Sequence, residues 1–174
     1  MSEQHRIERA VRGDMDELAV LLHENYSFLY KYALKLTMSS SNAEDLVQDT
    51  MVRCMEKIHT YNGSSRFSSW LITIATRLFY DKMRRKKVES KWREQEQAVR
   101  QLRYQMESSN MEWTAALELL SELSYEQRTP IVLKYYYGYQ VNEIAEMLNV
   151  QAGTIKSRMH YGLEKLRKEW KQDE

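Results

Sequence analysis

An all-α fold in two small helical units joined by a charged linker is what this sequence predicts. Three observations carry that expectation. The chain of 174 residues holds one Pro and five Gly, so helix breakers are scarce. Apolar residues recur every three or four positions along most of it, with no strand-like alternation. One stretch, residues 88–112, is charged and has little to bury, which marks a boundary.

The first long helix is expected from Met15 to Met38, with Leu18, Leu22, Leu29, Ala33 and Leu36 at helical spacing. Ser39, Ser40, Ser41 and Asn42 interrupt it. Ser41 and Glu44 have the spacing of a capping box, in which each side chain satisfies an orphan N–H of the first turn. The second helix then runs to about Ile58, and Val47, Met51, Cys54, Met55 and Ile58 form its apolar stripe. Cys54 is the only cysteine, so an intrachain disulfide is excluded and a buried thiol is expected.

Tyr61-Asn62-Gly63-Ser64-Ser65 has turn chemistry. A third helix follows from about Ser68 to Lys87, with Leu71, Ile74, Ala75 and Leu78 inward. Trp70 reads as packed at the start of this helix rather than stacked on a ligand. Arg77, Tyr80, Asp81 and Arg84 fall on one outer face, and Asp81 stands four residues from both Arg77 and Arg85. The domain boundaries expected are 1–88, a linker over 89–112, and 113–174.

The second unit opens with a helix from Trp113 to Leu123, with Ala116, Leu117 and Leu120 inward. Ser124 and Gln127 form another capping-box pair. Pro130 has no N–H to donate, so the next helix either kinks there or begins there with Thr129 as its cap. Helices over Val141–Leu148 and Ala152–Lys171 complete the pattern.

Residues 141–160, VNEIAEMLNVQAGTIKSRMH, meet the requirements of a helix-turn-helix. Ile144, Leu148 and Ile155 face inward, Ala145 is small where the helices cross, and Asn149 tolerates the left-handed turn. Thr154, Lys156, Ser157, Arg158 and His160 are left outward near the start of the second helix, the part that enters a major groove.

Charge supports two docking places for a polyanion. The chain has a formal net charge of +1, yet residues 77–93 hold 8 basic and 2 acidic side chains, and residues 151–171 hold 6 and 2. An aromatic-flanked polar loop, YNGSSRFSSW, precedes the first basic cluster and suits capture of unstacked bases. Asp45, Gln48 and Asp49 share an outer face of the second helix, without a nearby His to make them a metal site. His5, His23, His59 and His160 are scattered, and no phosphate loop or nucleophile motif occurs, so the chain is not expected to be an enzyme or to need a cofactor or metal. No apolar run spans a bilayer and the N-terminus lacks an apolar signal core, so a cytoplasmic location is expected, with action at the nucleoid.

Together these stretches resemble the extracytoplasmic-function (ECF) sigma factors of the sigma-70 family of bacterial RNA polymerase. NAEDLVQDTMVRCMEKI resembles region 2.2, which docks on the β′ clamp helices, and the resemblance makes Asp45, Gln48, Asp49 and Arg53 polymerase contacts. FSSWLITIATRLFYDKMRRKK resembles regions 2.3 and 2.4, which open and read the −10 element. That implies a base-capturing pocket from Asn62, Gly63, Ser64, Ser65 and Arg66, with Arg77, Tyr80, Arg84 and Arg85 along the DNA.

QRTPIVLKYYYGYQVNEIAEMLNVQAGTIKSRMHYGLEKLRK resembles region 4, which reads the −35 element as duplex, through Thr154, Lys156, Ser157, Arg158 and His160 here. The implied partners are core RNA polymerase, at its β′ clamp helices and β flap, promoter DNA and, as often in the family, an anti-sigma factor. The chain departs from the family at Arg77, where Asn is usual, and at Gln151, where Pro often opens the recognition helix. The rival reading is a stand-alone helix-turn-helix regulator, which accounts for residues 124–171 but leaves the basic third helix and its loop without a role.

Overall fold

The computed structural model describes residues 2–86, 91–108 and 114–170. Every regular element among them is helical. The chain divides into two compact units, one of residues 1–34 with 41–86 and one of residues 35–40 with 87–174.

The first unit opens with a helix that the sequence reading did not foresee, α1 (Glu3–Val11). Ser2 caps it, its side chain accepting from the His5 N–H, and Ile7 and Ala10 are buried. Gly13 reverses the chain at a φ of +102°, which a Cβ would strain. Asp14 then accepts from the Glu17 N–H at the start of α2 (Met15–Thr37). That bond, with the Arg9 guanidinium beside it, holds the Asp14 carboxyl below its ordinary range. Arg9 also meets Glu17 at 2.9 Å, and Arg6 meets Glu24 and Glu17, so ion pairs link α1 to α2.

On α2, Leu18, Leu22, Leu29, Ala33 and Leu36 are all buried, as their spacing predicts. The next helix, α3 (Ser40–Lys57), starts one residue before Ser41. Ser41 therefore lies inside the first turn and is not the N-cap that the S-x-x-E spacing suggested. Val47, Cys54 and Ile58 are buried, but Met55, expected on the same stripe, is 48% exposed. A short 3₁₀ turn (Ile58–Thr60) leads to the loop 61–66 and then to α4 (Phe67–Arg85).

Helix α4 buries Leu71, Ile72, Ile74, Ala75, Thr76, Phe79 and Tyr80. Thr76 donates to the Ile72 carbonyl, so the hydrogen shared between Tyr32 and Thr76 must come from the Tyr32 hydroxyl. Each fully buried leucine of this core stabilises by about 1.5–3 kcal/mol relative to exposure.

In the second unit, α5 (Lys91–Ser108) occupies most of the stretch read as a linker. It is helical, and Leu102 and Met106, four residues apart, are both buried. The expectation that this stretch has little to bury is thereby corrected: two apolar residues a turn apart are enough to give a charged helix one dry face. Trp113 lies outside the described residues, and α6 (Ala115–Ser121) is capped by Thr114 instead. Leu120 is buried and Leu117 half-buried, but Ala116 is exposed.

The expected capping box forms at the start of α7 (Tyr125–Tyr135), with Ser124 and Gln127 each accepting from the other's N–H at 3.3 Å. Pro130 lies inside this helix and does not begin it. Arg128 is buried and donates to the carbonyls of Leu123 (2.9 Å), Leu120 (3.3 Å) and Leu36 (2.7 Å). A buried guanidinium is tolerated because carbonyl acceptors replace its water.

Candidate nucleic-acid interface

Three surfaces hold the residues singled out by sequence. The first is on α3. Asp45, Gln48, Asp49 and Arg53 are all exposed, at steps that place them along one side of the helix. Val52 (56% exposed) and Met55 lie among them. An exposed apolar pair rimmed by carboxylates is the composition of a protein-docking face. Arg53 is held by Glu56 at 3.1 Å.

The second surface is the loop 61–66 with the outer face of α4. Tyr61 is buried and is the loop's anchor: its ring meets Phe67 edge-on at 5.9 Å and Trp70 at 5.2 Å, and its hydroxyl donates to the Ser65 carbonyl. Burial, with the Glu3 carboxylate nearby, pushes the Tyr61 phenol up from its ordinary pKa. Trp70 packs in this aromatic cluster, as its place in the sequence suggested. Asn62 accepts the Ser64 N–H at 3.0 Å through its side-chain oxygen, and Gly63 takes a φ of +73°. Asn62, Gly63, Ser64, Ser65 and Arg66 are consequently all presented to solvent by a loop whose base is fixed.

Arg77, Asp81, Arg84 and Arg85 are exposed on α4, and Asp81 lies 3.8 Å from Arg84. Tyr80 does not join them. It is 4% exposed, because it follows Ile72 and Thr76 at steps of four and shares their inward face. Its assignment to the outer, DNA-facing row is corrected accordingly.

The third surface is the helix-turn-helix, α8 (Val141–Leu148) and α9 (Ala152–Trp170). Asn149 adopts the left-handed conformation (φ 53°, ψ 48°), and the Val150 N–H reaches back to the Ala145 carbonyl at 3.0 Å. Glu143 accepts from the Gln140 N–H at 2.6 Å and closes the start of α8. Ile144, Ala145, Leu148, Ile155 and Met159 are buried. Gly162 lets α9 approach α7 closely: a Cβ there would stand 2.8 Å from Ile131 Cδ1 and 3.2 Å from Gln127 Cβ.

Thr154, Lys156, Ser157 and His160 are exposed on α9. Arg158 is half-buried and its guanidinium meets Glu126 of α7 at 3.2 Å. His160 lies 3.7 Å from Glu164, one turn along.

Sequence reasoning missed α1, Arg128 and Gly162. The first had a readable signal in Ser2 as cap, the Ile7–Ala10 spacing and Gly13 as stop. The other two act only through neighbours distant in sequence. Among the described residues, no cluster of His, Cys, Asp and Glu could hold a metal ion, and no helix is long and apolar enough to cross a membrane.

Comparison with known proteins gives matches to both halves in order. Residues 21–89 match the model of sigma-70 region 2, and residues 119–168 match that of sigma-70 region 4. Among curated proteins, the chain is 31% identical over 169 residues to the ECF RNA polymerase sigma factor SigL of Mycobacterium tuberculosis, covering 93% of each. It is 30% identical over 181 residues to SigW of Bacillus subtilis, covering 97% of each. Among solved structures, CnrH in complex with the cytosolic domain of CnrY shares the fold at a TM-score of 0.64 and 19% identity, over 99% of each chain. RpoE bound to the anti-sigma factor NepR from Bartonella quintana shares it at 0.61 and 24%, over 92% of this chain and 98% of that one.

Proposed function

The chain belongs to the ECF RNA polymerase sigma factors of the sigma-70 family, and from that premise we propose how its own residues divide the work of promoter-specific transcription initiation. The exposed face of α3, with Asp45, Gln48, Asp49 and Arg53 around Val52 and Met55, docks on core polymerase at the β′ clamp helices. The loop 62–66 captures an unstacked base of the −10 element, and Arg77, Arg84 and Arg85 follow the phosphates beside it. Helix α9 enters the major groove of the −35 duplex with Thr154, Lys156, Ser157, Arg158 and His160.

The observation that carries this reading is the pairing of two different DNA-reading surfaces in one chain. A fixed-base, solvent-presented loop suits a melted strand, whereas an inserted helix suits a duplex. Neither a stand-alone regulator nor a single-domain reader needs both. The functional division follows as residues 1–88 for polymerase docking and −10 opening, 89–112 as connector, and 113–174 for the −35 element. Tethering the two lets weak individual contacts act together on the polymerase scaffold. The family's members are regulators and not catalysts, and we read this chain as having no reaction of its own. It acts on chromosomal DNA in the cytoplasm, with core polymerase at its β′ clamp helices and β flap, promoter DNA and an anti-sigma factor as partners.

The test is size-exclusion chromatography of the purified chain with bacterial core RNA polymerase. Co-elution is the expected result. Separate elution of folded, inhibitor-free protein would favour a stand-alone helix-turn-helix regulator and remove the roles assigned to residues 42–87.

A further inference from the structure

Sulfur is reachable at few points of this chain. Among the described residues, Met38, Met106, Met147 and Met159 are buried, and Met51 and Met83 are half-buried. Cys54 is fully buried, and burial pushes its thiol up to about 12, so it stays protonated as well as covered. The exposed thioethers are Met15 of α2, at 45%, and Met55 of α3. Oxidation of sulfur follows its exposure.

These two methionines differ in their surroundings. Gln48, Val52 and Met55 follow one another along α3 at steps of four and three, so Met55 continues the exposed line assigned to core polymerase. Val52 and Met55 are apolar members of a face that also carries Asp45, Asp49 and the Arg53–Glu56 pair. Apolar side chains in such a place favour docking by leaving water when the partner arrives. Met15 stands on a different helix and outside that face.

We propose that Met55 is a modification site at which oxidants of the peroxide class weaken docking on core polymerase. A lone pair of Sδ attacks one oxygen of hydrogen peroxide and the O–O bond breaks. The hydroxyl proton on the transferred oxygen passes to the departing hydroxide, which leaves as water. The sulfur is oxidised by two electrons to the sulfoxide, and the peroxide is reduced. The product places a polar S=O acceptor where the interface takes apolar surface. Burying that oxygen without a donor opposes docking. Methionine sulfoxide reductases return the thioether at the expense of thiols, so the change is reversible. The inference rests on the reading of α3 as the docking face.

The test treats the purified full chain with hydrogen peroxide and removes the excess with catalase before core polymerase is added. Peptide mass spectrometry locates the added oxygen, and titration of labelled chain with core polymerase gives the binding. Wild type, Met55→Leu and Met15→Leu are each compared with their own untreated sample. Wild type and Met15→Leu are expected to lose roughly tenfold in binding on treatment. Met55→Leu has no thioether at that position and is expected to lose less than about twofold. Reductase with dithiothreitol should restore the treated wild type, and circular dichroism should show its helix content unchanged.

Met55 left unmodified while other methionines of the chain are oxidised would overturn the proposal. So would an equal loss of binding in Met55→Leu, or a loss of helix content on treatment, which would place the lesion in the fold and not at the docking face. Binding that survives oxidation of Met55 separates two failures. If Val52→Glu still weakens binding, the modification proposal falls alone. If Val52→Glu binds like wild type, the docking reading of α3 falls and the proposal with it.

Discussion

The guanidinium of Arg158 on α9 meets the carboxylate of Glu126 on α7 at 3.2 Å, with the arginine side chain 23% exposed. The residue proposed to read −35 DNA is thus also a strut between the two helices that frame the motif. A pair of this exposure contributes little to stability, of order 0–1 kcal/mol, so its chief effect is to hold Arg158 in one orientation.

Arg158→Ala is accordingly expected to weaken holoenzyme binding to a −35 duplex by about tenfold, in line with about 1–3 kcal/mol for a specific base contact. Opening of the −10 region on a pre-bound template should change less. Glu126→Gln leaves the arginine in place and should alter −35 binding no more than about threefold. Fluorescence anisotropy on duplex and pre-melted probes separates the two effects, and a larger loss in −10 opening for Arg158→Ala would show the roles to be exchanged.

Asp45→Ala combined with Asp49→Ala should reduce core polymerase binding by at least tenfold. Both side chains are exposed, so the melting temperature should stay within a few degrees of wild type. Val52→Glu, in the same face, should do the same, because burying an unpaired carboxylate at an interface is costly. Intact co-elution of both variants would remove α3 as the docking element.

Cys54 is fully buried, and burial pushes its thiol up from 9.0 to about 12. A chromogenic disulfide reagent at pH 8 should leave the native protein unlabelled and should label one thiol per chain in denaturant. The sign of the pH effect follows from linkage. Above about pH 9 the unfolded thiol releases its proton while the folded one keeps it, so stability falls as pH rises toward 12. Chemical denaturation between pH 9 and 11 should show a shallower decline in Cys54→Ala, by up to about 1.4 kcal/mol per pH unit.

Gly162→Val places a branched side chain where even a single added Cβ would stand 2.8 Å from Ile131 Cδ1. Overpacking of this kind destabilises by about 1–3 kcal/mol. Denaturant titration should show the loss. Duplex −35 binding should fall with it, because α9 can no longer seat against α7.

How far the fold was legible depended on where each signal sits. The stripe of α2, the Leu71, Ile74 and Ala75 part of the α4 stripe, the Ser124–Gln127 box and the left-handed Asn149 are local patterns, and each appears where the sequence places it, while Leu78 is only half-buried. Tyr80 was misplaced because a helical face has fuzzy edges. Steps of three from Arg77 put it outward, while steps of four from Thr76 put it inward, and packing against the first unit's core decided for the second. Met55 was misplaced the other way: Cys54 and Ile58 on either side of it are buried, and Met55 falls instead on the exposed flank it shares with Val52.

The candidate site divides in the same manner. The identity of the loop 62–66, the basic row on α4 and the outward residues of α9 could all be read from spacing and resemblance. That Arg158 is braced by Glu126 and that Arg128 replaces its water with carbonyl oxygens could not.

The chain's order of residues by itself determined the helical class, the two-part organisation and the membership of the family. These depend on periodicity, caps and turn residues, which act within a few positions of one another. Only the tertiary structure decided which of the candidate side chains face solvent and which are buried or braced internally. A hydrogen bond or a buried face between residues dozens of positions apart leaves no local pattern: it exists only once the elements have packed and water has been excluded between them.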